Sequence, residues 1–78
     1  MSAKAYVFIE GAAGTIPAIQ RRINRIQGVQ SCMAVTGHFD LVALVEGESE
    51  VALSKISYSQ IQMIEGVIRT VTCNVIEL

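Results

Sequence analysis

The chain has 78 residues, six Lys and Arg against seven Asp and Glu, a formal charge of −1 and 51% hydrophobic residues, which bounds it to a single domain over residues 1–78. At this length folding buries only about 60% of the unfolded chain's surface, so the core leaves a thin margin and a staple or partner is expected. The near-neutral balance and the lack of Trp argue against nucleic acid as the main partner, and no apolar run approaches the ~18 residues of a membrane span.

The N-terminus, Met1-Ser2-Ala3-Lys4, leads into a strand-like segment and not into a signal peptide, and two mid-chain cysteines suit a reducing compartment, so a cytoplasmic location is expected. Ala5 to Glu10 is a β-branched and aromatic run closed by Gly11 and Gly14, which predicts a strand and a turn. Thr15 can cap a first helix in which Ile16, Ile19, Ile23 and Ile26 form one apolar stripe, with Pro17 in its first turn and Gly28 at its end. Val29 to Thr36 predicts a second strand. Gly37-His38-Phe39-Asp40 then turns the chain into Leu41 to Val45, apolar on both parities and therefore a central strand. Ser49 is a good N-cap for a second helix with Leu53, Ile56, Ile61 and Ile64 inward, although Ser57 and Gln60 blur the stripe. Gly66 stops it, and Val67 to Ile76 supplies the last strand.

The order β-α-β-β-α-β is a duplication, because Ile23, Ile26, Gly28 and Val29 recur as Ile61, Ile64, Gly66 and Val67. Two interleaved β-α-β units give an α+β, ferredoxin-like sandwich: a four-stranded antiparallel sheet with both helices on one face. The other face is expected to carry Tyr6, Phe8, Val42, Leu44 and Ile68, too apolar to stay wet, and so to be buried against a second copy in a dimer.

Few residues suggest chemistry. His38 and Asp40 share a turn, yet no Ser or Cys nucleophile sits in an elbow motif nearby, and the plainer reading is a turn in which Asp40 accepts backbone N–H bonds while His38 is solvated. His38, Cys32 and Cys73 lack metal-ligand spacing, so no metal is expected. Cys32 and Cys73 fall on the second and fourth strands, at opposite sheet edges about 14 Å apart, too far to bridge, and are read as small buried residues. Arg21, Arg22 and Arg25 read as a solvated helix face. Gly11-Ala12-Ala13-Gly14 lacks the ending of a phosphate loop.

Two segments stand out: Val35-Thr36-Gly37-His38-Phe39-Asp40-Leu41 and Gly66-Val67-Ile68-Arg69-Thr70-Val71-Thr72. With Gly28-Val29 and the leading strand they make the chain, from Ala5 to Ile76, resemble the C-terminal effector-binding domain of the Lrp/AsnC family of regulators, also called the RAM domain. The resemblance implies a stand-alone form without the helix-turn-helix domain, since the chain starts at the first strand. It implies a dimer, assembled as an octamer of four dimers, with amino-acid effectors at the contacts between dimers and no cofactor. Gly37, Phe39 and Asp40 match the turn lining the effector site, and Thr70 and Thr72 match hydroxyls contributed by a neighbouring chain. His38 stands where the family often has an acidic or other polar residue, and Phe39 replaces a frequent Tyr, departures that bear on ligand identity.

The residue types suit a zwitterion: Asp40 can accept from an ammonium, and the hydroxyls and loop N–H groups can donate to a carboxylate. The bland alternative is that Asp40, Thr70 and Thr72 finish a turn and an edge strand. Two functions of different class follow. One is an amino-acid-sensing and oligomerisation module in the transcription regulation of amino-acid metabolism, pairing with full-length regulators and not touching DNA itself. The other is a small dimeric oxygenase or isomerase using His38 in an enclosed pocket, a reading that rests on fold analogy.

Overall fold

The repeated Ile-x-x-Ile-x-Gly-Val segment folds the same way twice. In the computed structural model, which describes residues 2–78, Ile26 N donates to Ile23 O (3.0 Å) and Val29 N to Ile26 O (3.1 Å), while Ile64 N donates to Ile61 O and Val67 N to Ile64 O, both at 3.1 Å. Gly28 and Gly66 take φ of +98° and +100°, a region that L side chains rarely enter. A Cβ on Gly28 would also lie 2.7 Å from Ile56 Cδ1 and 3.0 Å from Glu46 O, and one on Gly66 would lie 2.8 Å from Thr15 Oγ1. Each glycine carbonyl accepts a backbone N–H from across the fold, Glu46 N onto Gly28 and Ala12 N onto Gly66, both at 2.8 Å.

These two corners join β1 (Ala3–Gly11), α1 (Ile16–Ile23), β2 (Val29–Ala34), β3 (Leu41–Gly47), α2 (Glu50–Lys55) with a π-helical turn (Ile56–Ile61), and β4 (Val67–Asn74). The four strands form one antiparallel sheet in the order β2-β3-β1-β4, the ferredoxin-like arrangement the duplication predicts. Bulges recur with the repeat. Gln30 is the extra residue where β2 meets β3, and Ile68 where β4 meets β1.

One sheet face and the helices make the core. Ala5, Val7, Ile9, Leu41, Ala43 and Val45 are all fully buried on that side, packed with Ile19, Ile23, Leu53, Ile56, Ile61 and Ile64. Truncating such a side chain, Ile23→Ala for instance, costs about 2–5 kcal/mol. The alternating residues Tyr6, Phe8, Val42 and Leu44 occupy the opposite face as expected, and the register adds Met33 opposite Val42 and Val71 opposite Phe8. Ile68 has no partner in this register. As the bulge residue it stands outside the ladder, 63% exposed.

Other departures have local causes. Helix α1 ends at Ile23, and residues Arg25 and Ile26 bond only three residues back, a tightened last turn that still points Ile26 at the core. Thr15 holds the N-cap position, but its hydroxyl donates back to Ala12 O at 2.6 Å and does not accept from the helix. Ser49 does cap α2, accepting from Ala52 N. The stripe blurred by Ser57 and Gln60 is a π-helical turn: Gln62 N donates to Ser57 O, five residues back, at 2.9 Å. Ile56 and Ile61 thereby both reach the core across a spacing of five, where α1 places Ile19 and Ile23 across four.

Cys32 and Cys73 do lie on the two opposite edge strands. Cys32 is buried, but Cys73 is exposed, because it pairs with Tyr6 on the helix-free face. Among the described residues no helix is long and apolar enough to cross a membrane, and no group of His, Cys, Asp or Glu is gathered as a metal site.

Two outcomes follow. Gly28→Ala destabilises the fold by about 1–3 kcal/mol, read as a lower urea midpoint; an unchanged midpoint contradicts the corner geometry. Burial raises the Cys32 thiol to about 11, so it stays protonated near neutrality, and stability falls as pH rises from the unfolded thiol value toward the folded one. In native protein at pH near 8, iodoacetamide leaves Cys32 unmodified until denaturant is added.

Candidate functional site

The chain between β2 and β3 is held at both ends by backbone hydrogen bonds. Val35 N donates to Asp40 O at 3.0 Å, and Asp40 N donates to Ile9 O at 2.9 Å. Gly37 takes φ of +109° inside this turn, and His38 beside it is exposed. Half-buried Asp40 is anchored, since its Oδ2 accepts from Gly11 N at 3.0 Å. Its other carboxylate oxygen has no hydrogen-bond partner among the described residues.

Phe39 folds back over the helix-free face. Its ring centroid is 5.5 Å from that of Phe8, tilted by 44°, and the Arg69 guanidinium sits 4.8 Å from the Phe39 centroid, a cation–π contact. Arg69 Nε also donates to Glu10 Oε1 at 3.3 Å. Both side chains of this ion pair are well exposed, so its worth is small by itself. Its geometry matters more, because it ties the turn to β1 and β4.

Thr70 and Thr72 are elsewhere. They lie opposite Ile9 and Val7 on β1, so they point to the helix side. The Thr72 and Ser57 hydroxyls share a hydrogen bond of 3.2 Å, and Gln62 Nε2 donates to Thr70 Oγ1 at 2.8 Å. Two strand spacings, about 10 Å, separate β4 from β3, where Asp40 begins. Within one chain, then, the structure brings Phe39 and Asp40 together with Glu10, Gly11 and Arg69, and it does not bring Thr70 and Thr72 into that cluster.

A cleft of about 290 Å3 opens beside β4, lined by Gln62, Val67, Ile68, Arg69 and Thr70. A broader, open depression of about 620 Å3 is bordered by Ala34, Val35 and Thr36, which lead into the turn. His38 lines neither, and its side chain is exposed. Gln62, Arg69 and Ser57 escaped the sequence reading as site residues. Arg69 lies within the Gly66 to Thr72 segment, and Ser57 is, with Gln60, one of the two residues that interrupt the helical stripe.

The sequence matches the family model of the Lrp/AsnC ligand binding domain over residues 4–78. No curated protein matches it. Among solved structures, the chain aligns with TTHA0845 from Thermus thermophilus at a TM-score of 0.93 and 30% identity, covering 97% of this chain and 95% of that one. It aligns with the feast or famine regulatory protein Rv3291c from M. tuberculosis complexed with L-methionine at a TM-score of 0.78 and 28% identity, covering 97% of this chain and 51% of that one. For the transcriptional regulator NMB0573 in its L-Met complex from Neisseria meningitidis the TM-score is 0.86 at 18% identity, with 96% and 50% covered. The chain thus spans about half the length of these two regulators. The family model matches residues 4–78 of the 78, and so the chain belongs to the Lrp/AsnC ligand binding domain family.

Proposed function

We propose that this chain senses an amino acid or a similar small effector and couples that occupancy to self-association, as a module in the regulation of amino-acid metabolism that acts without catalysis and without contacting DNA itself. The observation that carries the reading is the state of Asp40. One oxygen is fixed by Gly11 N and the other is unpartnered among the described residues, which is what an ammonium group needs from a pre-placed acceptor. Family membership and the L-methionine bound by the M. tuberculosis relative support an amino-acid ligand.

The division of the candidate residues supports a site shared between copies. The Gly37, Phe39 and Asp40 turn and the Thr70 and Thr72 hydroxyls face different ways in one chain, so a ligand touching both sets requires a second chain to bring Thr70 and Thr72 to the turn. The helix-free face supplies the means of pairing, since Tyr6, Met33 and Val71 are exposed there beside the half-buried Phe8, Val42 and Leu44. Covering such a face is favourable by about 25 cal/mol per Å2 of apolar surface. In this reading the pairing unit is a dimer through the open sheet faces, dimers assemble further up to four, and full-length regulators of the family are further partners. A ligand held between chains shifts assembly by the difference in its affinity for the assembled and separate states.

An amino acid at about 100 times its dissociation constant adds roughly 2.7 kcal/mol of stability, read as a rise in Tm. Asp40→Asn keeps an acceptor for Gly11 N and removes the charge, so Tm without ligand stays near wild type and the ligand-induced rise disappears. A full rise in the variant removes Asp40 from the site, and no rise for any common amino acid in the wild type contradicts the sensing role. Leu44→Asp places a charge in the open face and yields a monomer by sedimentation velocity; an unaltered oligomer overturns pairing through that face.

A further inference from the structure

The two halves of the duplication differ where the hydroxyls are. In α1 the buried Ile19 and Ile23 are four residues apart, and in the second helix the buried Ile56 and Ile61 are five apart, with the surplus residue absorbed as the π-helical turn. That turn buries Ser57 to 2% exposure and sets its hydroxyl on Thr72. One turn further on, Gln62 reaches Thr70. The offset of 38 that relates Gly28 to Gly66 relates Cys32 to Thr70 and Ala34 to Thr72, so the first half builds the corresponding strand without a hydroxyl at either place. The fold closes well enough that way, and a bond between two neutral hydroxyls adds little net stability. π-helical turns are rare and concentrate at functional sites.

We propose that Ser57 and Gln62 are positioning residues, which lock Thr72 and Thr70 in single rotamers at the β4 edge and commit the Thr70 proton to a hydrogen-bond acceptor on the ligand, such as a carboxylate oxygen. The commitment follows from the donor count. A hydroxyl has one proton, and Thr70 Oγ1 already accepts from the Gln62 amide at 2.8 Å, so its own O–H is free to donate. Thr70 also lines the cleft of about 290 Å3 together with Gln62 and Arg69, which leaves room for the group it addresses. The ligand half of this inference rests on the effector-binding reading of Thr70; the rotamer half does not.

The test has two arms on the full chain. In isotope-labelled protein without ligand, scalar couplings to the threonine methyl groups report one rotamer each for Thr70 and Thr72. Ser57→Ala averages Thr72 alone, Gln62→Ala averages Thr70 alone, and Ser57→Thr restores the fixed value at Thr72. Couplings that do not change in the two alanine variants overturn the positioning role. In the second arm the common amino acids, beginning with L-methionine, and the carboxamide of each are titrated into wild type and Gln62→Glu. The new carboxylate takes the Thr70 proton, so affinity for the amino acid falls at least about tenfold, the equivalent of 1.4 kcal/mol, and the preference over the carboxamide shrinks. Equal affinity in Gln62→Glu overturns the donor assignment. Changed couplings with no amino acid bound by the wild type refute the sensing role and the donor assignment, while the rotamer arm stands as confirmed.

Discussion

Alternation along β1 governs this molecule. Val7 and Ile9 are completely buried while Tyr6, between Val7 and Ala5, is 45% exposed, because both helices cover the same side of the sheet and successive strand residues face opposite ways. A four-stranded sheet with two helices can seal only one face, and among the described residues no element covers the other. In the proposed function the apolar residues on the second face are the contact surface of an assembly.

The same face carries the turn of Gly37, Phe39 and Asp40. Phe39 rests on Phe8, and Arg69 rests on Phe39 while holding Glu10, so the turn that positions Asp40 is seated on residues neighbouring the proposed pairing surface. In the proposed function this continuity links occupancy to assembly without a long pathway: a shift of Phe39 on ligand binding bears directly on Phe8, within the face that a second copy covers. The Thr70 and Thr72 hydroxyls belong to the other side of the sheet, where Gln62 and Ser57 hold them, and in the proposed function one chain therefore supplies two separate parts of a shared site.

Much of this was legible in the sequence. The recurrence of Ile23, Ile26, Gly28 and Val29 as Ile61, Ile64, Gly66 and Val67 marks two corners that the structure builds with matching hydrogen bonds, and apolarity on both parities of Leu41 to Val45 placed β3 inside the sheet. Misses fall where a single residue breaks the period. The bulge at Ile68 is invisible to simple alternation, and the surplus residue of the second helix reads as a blurred stripe because helical periodicity assumes a constant turn. Cys73 reads as buried by residue type, but its place opposite Tyr6 puts it on the helix-free face, whereas Cys32 on the other edge strand lies opposite the buried Ala43. For the site, the residue types at Asp40, Thr70 and Thr72 were visible as donors and acceptors, but their opposite orientation depended on the β1–β4 register, which no local pattern encodes.

In the proposed function a second copy covers the open sheet face, and ligand occupancy acts through that contact. Native mass spectrometry of the unmodified protein, sprayed with and without a panel of amino acids, tests it most directly because it reports subunit number and bound mass together. The expected spectrum shows even-numbered assemblies built from dimers, with amino-acid mass carried by the assemblies and their distribution shifted by it. Monomers at every concentration, with or without amino acid, would contradict it.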